Sequence, residues 1–200
     1  CGHDGHMTML LGAARYLAET RNFDGTVYFI FQPAEEGGAG AAKMIDEGLF
    51  ADYQMETVWG MHNWPGLPAG EIAVSEGASM ASADHFEMTV TGRGGHAAMP
   101  HQAIDPVLAA AHIVQALQML VSRHTNPQDS SVLSITTIHG GSAFNVIPDE
   151  VILGGTVRAF RPETRARLEQ SLRDVSKLTA EAHGCTVAPV SYTHLRAHET

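Results

Sequence analysis

Apolar positions along the chain change period several times, and each change predicts an element. Between residues 6 and 20, Met7, Leu10, Leu11, Ala14, Leu17 and Ala18 recur at helical spacing with Arg15 and Glu19 on another face, which predicts an amphipathic helix. "NFDG" then supplies a turn, and the unbroken run "TVYFIF" predicts a strand covered on both faces. "GGAGAAKMIDEGL" predicts a helix ending near Gly48, and "TVWGMH" a further strand that stops at His62. Helices and strands alternating in this way predict an α/β fold with a mostly parallel sheet.

Small residues in "EGASMASAD", 76–84, read as a hinge, and a second pattern follows. "HFEMTVTG" alternates as a half-buried strand, and Pro106 to Arg123 carries an apolar stripe at helical spacing. "SSVLSITTIHG" and "EVILGGTVRAF" read as strands, Pro162 to His183 as a second helix, and "CTVAPV" as a closing strand. Strand, helix, strand, strand, helix, strand is the split-βαβ, ferredoxin-like plan of a two-layer α+β domain. The expected organisation is one domain over 1–79, a second over 80–190, and a tail over 191–200 that fits neither pattern. That tail, "SYTHLRAHET", reads as non-native or disordered, so the His194/His198 spacing is not taken as a ligand pair.

Composition narrows the function classes. With 12 basic against 22 acidic residues the formal charge is −10, which argues against a phosphate-binding surface and a nucleic-acid partner. No apolar run reaches the ~20 residues of a membrane span, and two cysteines are too few for a disulfide framework, so the expected setting is cytoplasmic. The chain opens on Cys1 directly inside a patterned segment and is expected to be an internal stretch of a longer protein.

Candidate chemistry gathers at predicted strand ends. In "FQPAEEGGAG", Glu35 and Glu36 stand where a strand hands over to a helix, the edge at which open α/β sheets build their sites. Two buried carboxylates there are costly without a cation. Cys1 and His3 in "CGHDGH" and His62 after "TVWGM" add thiolate and imidazole, a donor set suited to zinc or another transition metal. One glutamate can bind metal while its neighbour acts as a base. The bland alternatives are a glutamate pair complementing a helix dipole, an incidental C-x-H pair and a core histidine. "GGAG" lacks the phosphate-loop spacing, and no G-x-S-x-G element is present.

Taken together, "CGHDGHMTMLLGAA", "FIFQPAEEGGAGAAKMI", "GMHNWPGLPAGEI", "VTGRGGHAAMPHQAIDPV" and "GGSAFNVIPDEVILGGTVRAF" resemble the amidohydrolase branch of the co-catalytic metallo-carboxypeptidase and aminoacylase family, over roughly residues 1–188. Hippurate hydrolases, N-acyl-amino-acid amidohydrolases and indole-acetyl-amino-acid hydrolases form that branch. The resemblance implies a catalytic domain with two divalent metal ions (Mn, Zn, Co or Ni), interrupted by a smaller lid or dimerisation domain, in a homodimer. It implies Cys1, His3, Glu36 and His62 as metal ligands and Glu35 as general base. It further implies His96 as a group reaching the reacting carbonyl, commonly in the partner subunit's site, and Asn145 and Arg158 as substrate contacts. Asp4 is either an orienting carboxylate or a turn residue. A last ligand histidine of the family, and its upstream strands, have no counterpart in these residues. The implied reaction is hydrolysis of the amide bond of an N-acyl amino acid. The alternatives are a dipeptidase, aminopeptidase or carboxypeptidase of the same family, or a catalytically silent metal-binding dimerisation module.

Overall fold

The computed structural model describes residues 2–35, 40–74 and 76–188, and the backbone of 191–195. The chain divides into two compact units, Cys1–Ser79 and Met80–Glu199.

In the first unit, α1 (His3–Thr20) starts from Gly2 in the left-handed region, with Asp4 in its first turn complementing the positive end of the helix dipole. α1 ends at Arg21, also left-handed, whose amide returns to the Leu17 carbonyl. The next helix is split into α2 (Gly40–Asp46) and α3 (Leu49–Asp52). Gly48 divides them at φ 102°, a conformation that a side chain would strain. The two strands expected in this unit do not form: 26–31 and 57–62 carry no ladder among the described residues, and the expected parallel sheet is absent with them. The reason is physical. A strand is completed by a neighbour's amides and carbonyls, and a β-forming run without one remains extended but unpaired. Its side chains are open as well, with Tyr28, Phe31, Trp59 and Met61 all exposed.

The second unit contains its own partners. β1 (Ala83–Thr91) alternates buried and open positions, sending Asp84, Phe86, Met88 and Val90 inward. A two-residue strand, β2 (Gly95–His96), precedes α4 (Pro106–Ser122). Asp105 caps α4 with its carboxylate, accepting from Val107 N at 2.8 Å and Leu108 N at 3.3 Å, and Pro106 fills the first turn. β3 (Ser131–Gly140), β4 (Val146–Ile147), β5 (Glu150–Ala159), α5 (Pro162–Ala182) and β6 (Thr186–Val187) follow.

The main sheet runs β3-β5-β1-β6 with every pairing antiparallel. Register is set by the β1/β5 pairs Asp84 with Val157 through Thr91 with Glu150. Gly155 permits the close approach of β3 and β1, since a Cβ there would overlap the Ser134 carbonyl oxygen and lie 2.6 Å from Phe86 Cζ. Ile113, Leu117 and Leu120 of α4 and Leu168, Leu172 and Ala180 of α5 join Met88, Val90, Leu153 and Val157 in one core. This unit is therefore two-layered, two helices against an antiparallel sheet.

Within 191–200, expected as a non-native or disordered tail, the first five residues have backbone structure. Ser191–Leu195 form β7, antiparallel to β1 with Ala83 opposite Leu195 and Glu87 opposite Ser191. β6 pairs only with Val90 and Thr91, so the other half of β1's outer side is open to any extended segment. Among the described residues no helix is long and apolar enough to cross a membrane.

Candidate functional site

Two groups of the expected residues come together, one in each unit.

In the first unit, α1 carries His3 and His6 one turn apart on one side, and the 62–64 segment packs against that turn. Glycines make the approach possible: a Cβ on Gly2 would lie 2.7 Å from the Asn63 side-chain nitrogen, and one on Gly5 3.3 Å from it. His6 and His62 meet edge to face with ring centroids 4.4 Å apart, while His3 and His6 stack at 5.6 Å. Trp64 closes on the other side of His62 at 5.7 Å. The Glu35 carboxylate reaches to 3.6 Å from His3 Nε2, with both side chains about half exposed. So His3, His62 and Glu35, three of the expected residues, share one neighbourhood.

Hydrogen bonding sets the imidazole tautomers. His62 Nδ1 lies 2.7 Å from the Asn63 carbonyl oxygen, an acceptor only, so Nδ1 carries the hydrogen and Nε2 keeps its lone pair. An imidazole that binds a metal through Nε2 requires that form. Among the described residues, His6 Nε2 is buried without a hydrogen-bond partner. Burial, then the neighbouring His62 and His3, hold the His6 pKa below the usual histidine value of 6.5, with Glu35 acting in the opposite sense. A neutral ring with an unpartnered nitrogen beside two potential ligands fits a site shaped around a cation. Cys1 and Glu36, the other two expected ligands, lie outside the described residues. Among the described residues no three His, Cys, Asp or Glu side chains converge closely enough to hold a metal ion. The donor chemistry of His3 and His62 fits a divalent metal, and the expected set adds Cys1 and Glu36 to them.

In the second unit, β2 and β4 form a small antiparallel ladder that puts His96 opposite Val146, next to Asn145. Ala97 N donates to the Asn145 carbonyl at 2.9 Å, tying the two loops together. His96 Nδ1 accepts from Ala98 N at 3.1 Å, which leaves the hydrogen on Nε2 of an exposed ring. Arg158 stands on the main sheet instead, half-buried on β5 opposite Val132 of β3. His96 and Asn145 are thus joined, and Arg158 belongs to a different part of the unit.

Over residues 1–182 the sequence matches the description peptidase family M20/M25/M40. The chain belongs to that family. It is 49% identical over 189 residues to an IAA-amino acid hydrolase ILR1-like 2 of Arabidopsis thaliana, covering 94% of this chain and 42% of the relative. It is 45% identical over 183 residues to a hippurate hydrolase of Campylobacter jejuni, covering 92% and 48%. A solved Bacillus subtilis structure, a dinuclear metal binding peptidase from the M20 family, superposes with a TM-score of 0.76 at 37% identity, covering 97% of this chain and 48% of that one. This chain therefore spans about half the length of the relatives it matches. His6 and Asn63 escaped the sequence reading, although the i, i+3 histidine spacing in "HDGH" was available to suggest that both rings share a helix face.

Proposed function

We propose that this M20-family chain carries the metal-binding and lid portions of an enzyme that hydrolyses the amide bond of N-acyl amino acids. The observation that carries the proposal is the neighbourhood of Glu35, His3 and His62, with the Nδ1 contact of His62 leaving Nε2 available as a donor to metal. The names of the relatives, an IAA-amino acid hydrolase and a hippurate hydrolase, supply the substrate class. They favour acyl amino acids over the dipeptides of the alternative reading.

Cys1, His3, Glu36 and His62 would hold two divalent ions, Mn, Zn, Co or Ni, which when bound supply an activated water and polarise the scissile carbonyl. Glu35 removes the proton of the attacking water and returns it to the leaving amine. His96, with its hydrogen on Nε2, donates to the oxygen on which negative charge develops. Asn145 and Arg158 hold the substrate, Arg158 through its α-carboxylate by a bidentate pair.

The second unit, as lid, is also assigned the homodimer contact. Among the described residues β3 is bonded on one side only, to β5, and Ser131–Gly140 contains no Lys, Arg, Asp, Glu or Pro to protect that edge. A second copy is the natural cover for such an edge.

The division of labour between the glutamates is tested in a family-length enzyme carrying these residues. Glu35→Gln should lower turnover by roughly the 10²–10⁴ of a general base, with metal content near wild type. Glu36→Gln should lose metal. Equal metal loss in the two variants, by elemental analysis, would refute the assignment.

A further inference from the structure

The turn that presents His96 is held by residues with no role assigned so far. Gly92 N donates to the Asp149 carbonyl at 2.8 Å, and Gly94 N donates to the Asp149 carboxylate Oδ1 at 2.8 Å. Both ends of Asp149, backbone and side chain, therefore bind the stretch leading into His96. The fit leaves no room to spare. A Cβ on Gly94 would lie 2.7 Å from the Ile147 carbonyl oxygen and 3.0 Å from Asp149 Oδ1, and one on Gly92 would overlap the Ile104 carbonyl oxygen. Arg93 and Ile104 exchange backbone hydrogen bonds at 2.9 and 2.8 Å on the opposite flank. Beyond Gly94, the β2/β4 ladder and the bond from Ala97 N to the Asn145 carbonyl carry the chain past His96.

Apart from His96 itself, whose Nδ1 accepts from Ala98 N, the Asp149 carboxylate is the only side chain bonded to this turn among the described residues; the other bonds are backbone to backbone. A hydrogen bond from an amide to an ionised carboxylate is stronger than one between neutral groups. It also fixes direction, because Gly94, one of three glycines in the turn, has no side chain of its own to restrict its backbone. We infer that Asp149 is a positioning residue for His96: by clamping the Gly94 amide it holds the 92–98 turn so that the His96 Nε2 hydrogen points where the reacting carbonyl oxygen must sit. The inference rests on the reading of His96 as that donor. Asp149 touches no substrate itself and acts only through the turn.

Two measurements test it. In the 200-residue chain, hydrogen exchange at Gly94 should be at least about tenfold faster in Asp149→Ala than in wild type, because a lost hydrogen bond of about 1.4 kcal/mol or more corresponds to that factor. Asp149→Asn keeps an acceptor oxygen and should restore most of the protection. In a family-length enzyme, Asp149→Ala should lower kcat by about 10- to 100-fold with KM and metal content nearly unchanged, since a donor displaced by about 1 Å loses catalysis before binding. Asp149→Asn should recover most of that loss. In a His96→Ala background, Asp149→Ala should cost nothing further, the non-additivity of two residues acting as one.

The outcomes separate cleanly. If His96→Ala lowers kcat but Asp149→Ala does not, or if the two losses multiply, the positioning role is overturned while the role of His96 stands. If His96→Ala leaves kcat unchanged, His96 is not the donor and both ideas fall. Gly94 exchange that is equal in wild type and Asp149→Ala would also overturn the clamp.

Discussion

Replacing Arg165 with leucine probes a buried ion pair of the second unit, and its cost can be worked from the geometry. Asp84 is fully buried at the start of β1, under the first turn of α5. Arg165 meets it with Nε at 3.0 Å from both carboxylate oxygens and Nη2 at 2.9 Å from Oδ1, while Ser82 Oγ donates to Oδ2 at 3.0 Å. Removing the guanidinium leaves a charge inside the protein with its main compensation gone. Breaking a buried pair in this way costs about 3–5 kcal/mol. The Arg165 side chain is 24% exposed, so water softens the loss and the lower end, about 3 kcal/mol, applies. For a unit of about 120 residues, 1 kcal/mol corresponds to roughly 4 °C, giving a fall in Tm of about 12 °C.

The assay should be far-ultraviolet circular dichroism, to which α4 and α5 of the second unit contribute more helix than the first unit does. Both tryptophans, Trp59 and Trp64, belong to the first unit, so their fluorescence would report the wrong transition. Asp84→Val combined with Arg165→Leu removes both charges and should recover most of the loss, because an apolar pair in place of a buried ion pair is close to neutral. A fall below about 3 °C in the single variant would refute the reasoning. A double variant as unstable as the single would show that Arg165 matters through its packing and not its charge.

Cys185 is buried, and burial first, then the charge of Asp105, push its pKa above the usual thiol value of 9.0. In a Cys1→Ser variant, Ellman's reagent should label it only at the rate of unfolding, and rapid labelling of the native chain would contradict the burial. Because the folded state keeps the thiol proton more tightly than the unfolded state, this stability is complete below the unfolded value and declines as pH rises through the folded one. Ending the chain at Ala188 removes the β7 partners of Ala83–Glu87 and should lower the second unit's Tm by a few degrees, at about 1 kcal/mol for a net hydrogen bond. An unchanged melt would mean that β7 contributes nothing. Mixing His96→Ala and Glu35→Gln subunits of a family-length enzyme should restore part of the activity if His96 serves the partner's site, and demonstrated heterodimers without activity would refute that arrangement.

How far the sequence could be read depended on where each element finds its partner. α4 was legible to within a residue: its stripe and its Pro106 start are local and appear in the structure, which adds the Asp105 cap. β1, β3 and β5 were legible because their complements lie in the same unit and the alternation of β1 matches its burial. "TVYFIF" and "TVWGMH" have equally strong β-forming composition, yet among the described residues they gain no ladder. Composition sets what a segment can pair with; the supply of a partner is a property of the rest of the fold.

The same distinction runs through the site. His3 and His62 stood out as metal-type donors from residue type alone, and the structure adds their shared neighbourhood and the tautomer of His62. Nothing local in "GRGGHAA" or "AFNVIP" announces that His96 and Asn145 are neighbours, because that adjacency is created by a two-residue ladder between distant loops. Asp149 follows a proline in a short loop, a pattern that ordinarily signals only a turn. Its carboxylate acquires meaning because Gly94 lacks a Cβ and lets the two backbones close to hydrogen-bonding distance. A glycine-rich turn is thus half of a contact, and the residue that completes it has to be sought on the strand it faces. In this chain the search from His96 leads across the ladder to Asp149, along backbone bonds that hydrophobic patterning does not encode.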